Sequence, residues 1–322
     1  MSSQSIVAEM TTDGTTRSLL TLRNLGALLL LAVMWGLSIP VTKLGLQTVP
    51  PLTLTAMRFG IAVPLLLVFV IAGRHSMPWR ALPRVAGLGV LGVGVGQVSQ
   101  TFGVAGTSAS VGTIISATIP IFIVFFAALR LRQPVSKLQQ LGLFAAFAGI
   151  ALVALGHEGA TANAQTTVGG AAWVLLSALA IAFYYVWSVE LTAAYGTATV
   201  AAWSTLSGFF ALIPWTVREL WSVTSFHITA QALFAAIYLG VVVTVAGLFM
   251  WLNLLRIVPA RVAASVQYLQ PVVGVVAASA MFGDQLGASF VVGVALVLAG
   301  LALTMAPRRS GSEQAGAPVS RG

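Results

Sequence analysis

The sequence predicts an all-α integral membrane protein of ten transmembrane helices, built as two inverted five-helix repeats. Apolar residues fill 58% of the 322 positions and charged ones only 7%, with a mean hydropathy of +0.97. That is more apolar surface than one water-soluble core can bury. Continuous hydrophobic stretches of about 20 residues, enough at about 1.5 Å per residue to cross about 30 Å of hydrocarbon, recur along the chain. Residues 111–152 also overlay on 262–303 without a gap at a constant offset of 151, so that Pro120 meets Pro271, Gly142 meets Gly293 and Gly149 meets Gly300. Helices rather than a barrel follow, because barrel strands are about ten residues long and alternate polar with apolar. With five spans in each half, an odd number, the second copy enters the bilayer from the opposite face.

Taken in order, the expected spans are 24–46, 52–71, 85–105, 111–129, 138–155, 169–189, 200–217, 230–255, 262–282 and 288–306. The first is longer than the apolar core of a signal peptide and lacks a persuasive cleavage site, so it is read as a retained span. The third is rich in glycine, and Gly92 and Gly96 have the GxxxG spacing that suits close helix packing. The run GLGVLG from Gly87 formally matches a dinucleotide fingerprint, but no βαβ unit surrounds it and no acidic residue follows about 20 positions on. The first repeat is expected at 22–156 and the second at 157–307, flanked by tails at 1–21 and 308–322. The tails are rich in Ser, Thr, Gly and Ala without amphipathic period, and are expected to be disordered and cytoplasmic. The connections near 156–168 and 218–229 are too short to fold alone, which argues against an attached ATPase or soluble catalytic module. Cysteine is absent, so no disulfide or thiolate metal site arises.

The net charge of +9 is a topology signal rather than a nucleic-acid footprint. With the amino terminus in the cytoplasm, 13 of the 16 Lys and Arg residues fall on the inner side. Arg218 alone falls outside, and Lys43 and Arg58 lie within spans. The expectation is a multi-pass protein of the plasma (cell inner) membrane with both termini cytoplasmic.

Polar side chains inside a bilayer are costly unless they face protein or water, and they mark candidate lining residues. Gln97, Gln100 and Thr101 share one face of the third span by their i, i+3, i+4 spacing. Tyr184, Trp187 and Ser188 repeat that spacing in the sixth span, and Gln267 and Gln270 lie in the ninth. Trp35 and Ser38 on the first span, with Tyr238 and Trp251 on the eighth, complete an expected aromatic and amide lining. The competing reading is interhelical hydrogen bonding by Gln and interfacial anchoring by Trp and Tyr. Lys43 and Arg58, toward the outer ends of their spans, either snorkel or form a basic outer vestibule favouring carboxylate-bearing solutes. Pro120 and Pro271 each remove a helix hydrogen bond, and their matched positions suit paired pivots. Glu190 is expected to pair with a cytoplasmic Arg. No mid-depth carboxylate of the kind direct proton exchange uses is found.

Trp35-Gly36 with Lys43 in the first span, Pro51 and Arg58-Phe59 in the second, and the duplicated Pro120/Pro271, Gly142/Gly293 and Gly149/Gly300 resemble the EamA-like family of the drug/metabolite transporter superfamily. The resemblance covers nearly the whole membrane region. The family's acidic residue after the fourth and ninth spans is supplied by Asp284 in the second half, whereas Gln133 stands in the first. The resemblance implies a carrier of small metabolites, often an exporter of amino acids or related solutes, working by alternating access. A proton-coupled multidrug efflux carrier is the alternative within that class. A non-transporting scaffold or receptor is the alternative outside it. An intramembrane enzyme is disfavoured, since His75, His157 and His227 fall in loops or at span ends and no HExxH motif occurs. A channel is disfavoured because the inward polar positions are interleaved with bulky aromatics. The expected partners are a small-molecule solute and the lipid bilayer, with no nucleic acid, metal or organic cofactor.

Overall fold

The computed structural model describes residues 22–73, 77–130, 136–155, 166–222, 227–258 and 265–305. Both expected tails, Gln133 and most of the 156–168 connection lie outside the described residues.

The described residues form helices and no strand: α1 (Leu22–Gly45), α2 (Pro51–Ala72), α3 (Leu82–Ala105), α4 (Ala109–Arg130), α5 (Lys137–Leu155), α6 (Val168–Tyr195), α7 (Thr197–Ser222), α8 (Ala230–Ile257), α9 (Ser265–Phe282) and α10 (Ala288–Met305). The first eight are long and apolar enough to cross a membrane, and two shorter apolar helices follow them. Outward faces carry large apolar side chains such as Leu29, Phe144, Phe210 and Val276, each more than half exposed. A water-soluble monomer does not carry so much exposed apolar area.

Starts and stops follow local chemistry. Thr167, Thr229 and Ser108 cap α6, α8 and α4 with side-chain oxygens that accept from Gly170 N (3.0 Å), Ala232 N (3.1 Å) and Val111 N (3.3 Å). Between α6 and α7 the connection is Gly196 alone, whose φ of +83° belongs to a region open to glycine. Both flanking helices run past the predicted boundaries, to Tyr195 and from Thr197, because hydropathy marks where lipid ends and not where the helix does. Pro40 lacks the amide that would bond to Gly36, and α1 accordingly breaks at Leu37.

Glycine governs how closely the rods approach. A methyl group at Gly142 would lie 2.7 Å from the Gly300 carbonyl oxygen, and one at Gly149 would lie 2.6 Å from that of Gly293. The α5 and α10 backbones therefore touch in antiparallel register along one seam. On α3, a methyl at Gly96 would meet Ile181 at 3.0 Å and one at Gly103 would meet the Gly170 oxygen at 2.9 Å, so the glycine-rich stretch is a packing face against α6. Elsewhere α2 packs on α7, α1 on α8 and α9, and α4 on α6 and α9. Interlocked Val, Ile, Leu and Ala side chains from α4, α5, α6, α9 and α10 fill one core, and those from α1, α2 and α8 fill another.

Two helices contain wider turns, Val90–Val95 in α3 and Tyr238–Ala246 in α8. There the hydrogen bonds run from residue i to i+5, and where the ladder changes register a carbonyl loses its usual partner. That local irregularity places the polar groups described next.

Candidate functional site

The wide-turn segment of α8 organises the interior cluster. The Trp35 indole N–H on α1 donates to the Val243 oxygen at 3.2 Å, and the Tyr238 hydroxyl donates back to the Met34 oxygen at 3.0 Å. Trp251 lies beside Trp35 with ring centres 5.7 Å apart. Next to Val243, the Thr244 hydroxyl accepts from Arg58 Nε at 3.1 Å, while Arg58 Nη1 donates to Gln97 Oε1 at 2.9 Å. Arg58 thus does not snorkel to the rim; it bridges α3 and α8 from α2. The Thr55 hydroxyl oxygen lies 2.9 Å from that of Thr101, one turn beyond Gln97, tying α2 to α3 again. Tyr185 on α6, 52% exposed, lies within electrostatic range of the Arg58 guanidinium.

Of the residues expected to line a path, Trp35, Tyr238, Trp251 and Gln97 meet around α8, joined there by Arg58, which was expected at the outer vestibule. Ser38 follows the break in α1, Gln100 sits one turn from Gln97, and the backbone of Gln270 borders Gly36 on α1. Gln267 lies one turn before Gln270 on α9. Tyr184 packs against Gly92, filling the α3–α6 interface. Trp187 lies apart: it stacks on Phe183 with centres 3.9 Å apart, and the Arg130 guanidinium sits 5.6 Å from its ring centre. Arg130 also pairs with Glu190 at 2.5 Å and donates to the Val186 oxygen. The two prolines differ in setting. α4 breaks at Ala117 and Thr118 just before Pro120, whereas Pro271 lies inside an unbroken α9.

A second cluster closes the end of the bundle that carries Lys43. The Lys43 ammonium donates to the oxygens of Val104 (3.0 Å), Ala105 (3.2 Å) and Thr107 (2.6 Å), capping the last turn of α3. Its three protons are thereby used. Carboxylates then reach across the halves onto helix starts. Glu219 of α7 accepts from Leu52 N (3.2 Å), Thr53 N (2.8 Å) and the Thr53 hydroxyl (2.9 Å), and buried Asp284 accepts from Ser110 N at 2.8 Å. Helix N-termini carry partial positive charge, so both placements are favourable. Thr48 with Thr229, and Gln231 with Gln47, add further ties. A cavity of about 400 Å³ lies here, lined by Lys43, Gln47, Ser108, Ala109, Met281, Phe282 and Asp284. Among the described residues no group of His, Asp or Glu side chains has the arrangement to hold a metal ion.

Sequence reasoning missed Thr244, Glu219 and Tyr185. Thr244 is a lone hydroxyl in an apolar run and gave no pattern. Glu219 had a signal: the α2 start, Pro50-Pro51, offers no capping side chain of its own, so its free amides need an acceptor from elsewhere.

Comparison with known proteins fits this architecture. The model of the EamA-like transporter family matches residues 23–155 and again 168–306. An uncharacterized transporter of Archaeoglobus fulgidus is 27% identical over 87% of this chain and 98% of its own length. A probable terminal-alkyne amino-acid exporter of Streptantibioticus cattleyicolor is 28% identical over 89% of this chain and 96% of its own. An inner membrane transporter of Escherichia coli is 27% identical over 81% and 83%. A solved crystal structure superposes with a TM-score of 0.60 at 18% identity, covering 87% of this chain and 95% of that one, a likeness of fold.

Proposed function

This chain belongs to the EamA-like transporter family, whose members are transporters and not enzymes, and on that premise we propose that it exports amino acids or related small metabolites by alternating access. The observation that carries the reading is the double match, one copy of the family in each half, packed reciprocally. Gly142 meets Gly300 and Gly149 meets Gly293, and the shift of 151 that relates the halves turns one pair into the other. A two-fold axis produces that kind of exchange, which supports two inverted five-span repeats. The described parts of α9 and α10 hold 18 residues each, about 27 Å of helix at about 1.5 Å per residue, close to a hydrocarbon core of about 30 Å. They complete ten spans in this reading.

The distribution of Lys and Arg supports a topology with the Lys43 end outside and both termini in the cytoplasm of an inner-membrane protein. Trp35, Ser38, Gln97, Gln100, Tyr238, Trp251, Gln267 and Gln270 line the path between the halves. Pro120 and Pro271 give α4 and α9 their flexibility. The named amino-acid exporter among the relatives supports the solute class.

Reconstituted protein tested for counterflow with labelled amino acids, nucleosides and lipophilic cations decides the matter. Saturable exchange of amino acids is expected. Fluxes equal to those of protein-free liposomes for all amino acids would remove the proposal.

A further inference from the structure

We propose that Arg58 is the group that recognises the solute's carboxylate, an inference that rests on the carrier reading above. Arg58 is the eighth residue of α2, about 10 Å along the helix from its first residue at about 1.5 Å per step. Its partners are neutral: Gln97 Oε1 and the Thr244 hydroxyl take two of the five guanidinium N–H groups. A cation held inside a bundle is costly without a counter-charge. The described residues do not supply one. Glu190 is paired with Arg130, Glu219 caps α2, and Asp284 accepts from Ser110 N beside Lys43.

Arg58 as a whole residue is half-buried. Thr244 and Gln97 fix it from two sides, which leaves the outer edge of a planar fork whose spacing matches the two oxygens of a carboxylate. The Phe59 ring lies beside the cation, its centre 5.3 Å from the guanidinium carbon, and supplies an aromatic wall next to it. Lys43 cannot take this role, because its three protons are bound to carbonyl oxygens of the α3 end. Recognition of the anionic group therefore moves from the rim, where the sequence placed it, to the interior.

The test uses proteoliposomes and every labelled L-amino acid that the wild-type protein exchanges. Each is competed with its own unlabelled acid and with the corresponding carboxamide, which keeps the amine and side chain and lacks the negative charge. The carboxamide is expected to compete at least tenfold less well in the wild type, about 1.4 kcal/mol. In Arg58→Gln the acid's advantage falls to within about twofold, and Arg58→Lys, charged but without the fork, is intermediate. Equal competition by acid and carboxamide in the wild type overturns the proposal without any variant, and so does an undiminished acid preference in Arg58→Gln. Should no amino acid exchange above protein-free liposomes, the carrier reading itself fails and takes this proposal with it.

Discussion

Gly149 and Gly293 meet backbone to backbone: a methyl on Gly149 would lie 2.6 Å from the Gly293 oxygen, and one on Gly293 would lie 2.9 Å from the Gly149 oxygen. Neither neighbour is a flexible side chain that can swing away. Gly149→Leu or Gly293→Leu should therefore force α5 and α10 apart and cost about 1–3 kcal/mol, the usual range for overpacking. Gly26→Ala, where nothing lies within 4 Å, should be neutral or slightly stabilising. Thermal unfolding in detergent compares them, and equal midpoints for Gly149→Leu and Gly26→Ala would contradict the seam.

Glu219 ties the second half to the first through the start of α2. Replacing it by Ala strands two amides, costs about 1–2 kcal/mol as for other helix caps, and should raise the population open at the Lys43 end. The chain has no cysteine, so Ala109→Cys, 1% exposed and lining the rim cavity, reports that opening without background. Labelling by a membrane-impermeant maleimide should be several-fold faster with Glu219→Ala present. An unchanged rate would mean that the tie does not hold this end shut.

Lys43 stabilises the end of α3. Lys43→Met leaves the Val104, Ala105 and Thr107 oxygens without their charged donor and should cost about 2 kcal/mol, within the range for charge-assisted bonds. The preference for acid over carboxamide should stay as in the wild type. Loss of that preference with normal stability would return the rim to the role of recognition.

Tags on the two termini should report the same side of the membrane. Reporters joined to the full chain at one terminus or the other measure this directly, and opposite sides would be incompatible with ten spans.

The helices, eight of them long and apolar enough to cross a membrane, were legible because lipid imposes length and hydropathy, and the seam glycines because duplication put Gly142 and Gly149 over Gly293 and Gly300. The Arg130 partner of Glu190 was legible in kind, since acids at span ends pair with nearby bases. Arg58 was not. Sequence gives its depth, but its engagement with Gln97 and Thr244 depends on the packing of α2 against α3 and α8. The wide turns were equally hidden, because their cause is tertiary and no residue type specifies them. Matched prolines suggested matched geometry, yet only the α4 site is broken, since Pro120 sits just after a turn and Pro271 sits mid-helix.

The ties of the Lys43 end and the α5–α10 seam differ in what can replace them. Hydroxyls, amides and carboxylates at a rim can exchange a protein partner for water at little net loss, whereas glycine backbones in van der Waals contact have no solvent substitute within a lipid-facing interface. On the proposed alternating-access cycle, the rim is then the clasp that undoes, and the glycine seam is the spine about which the two covers turn.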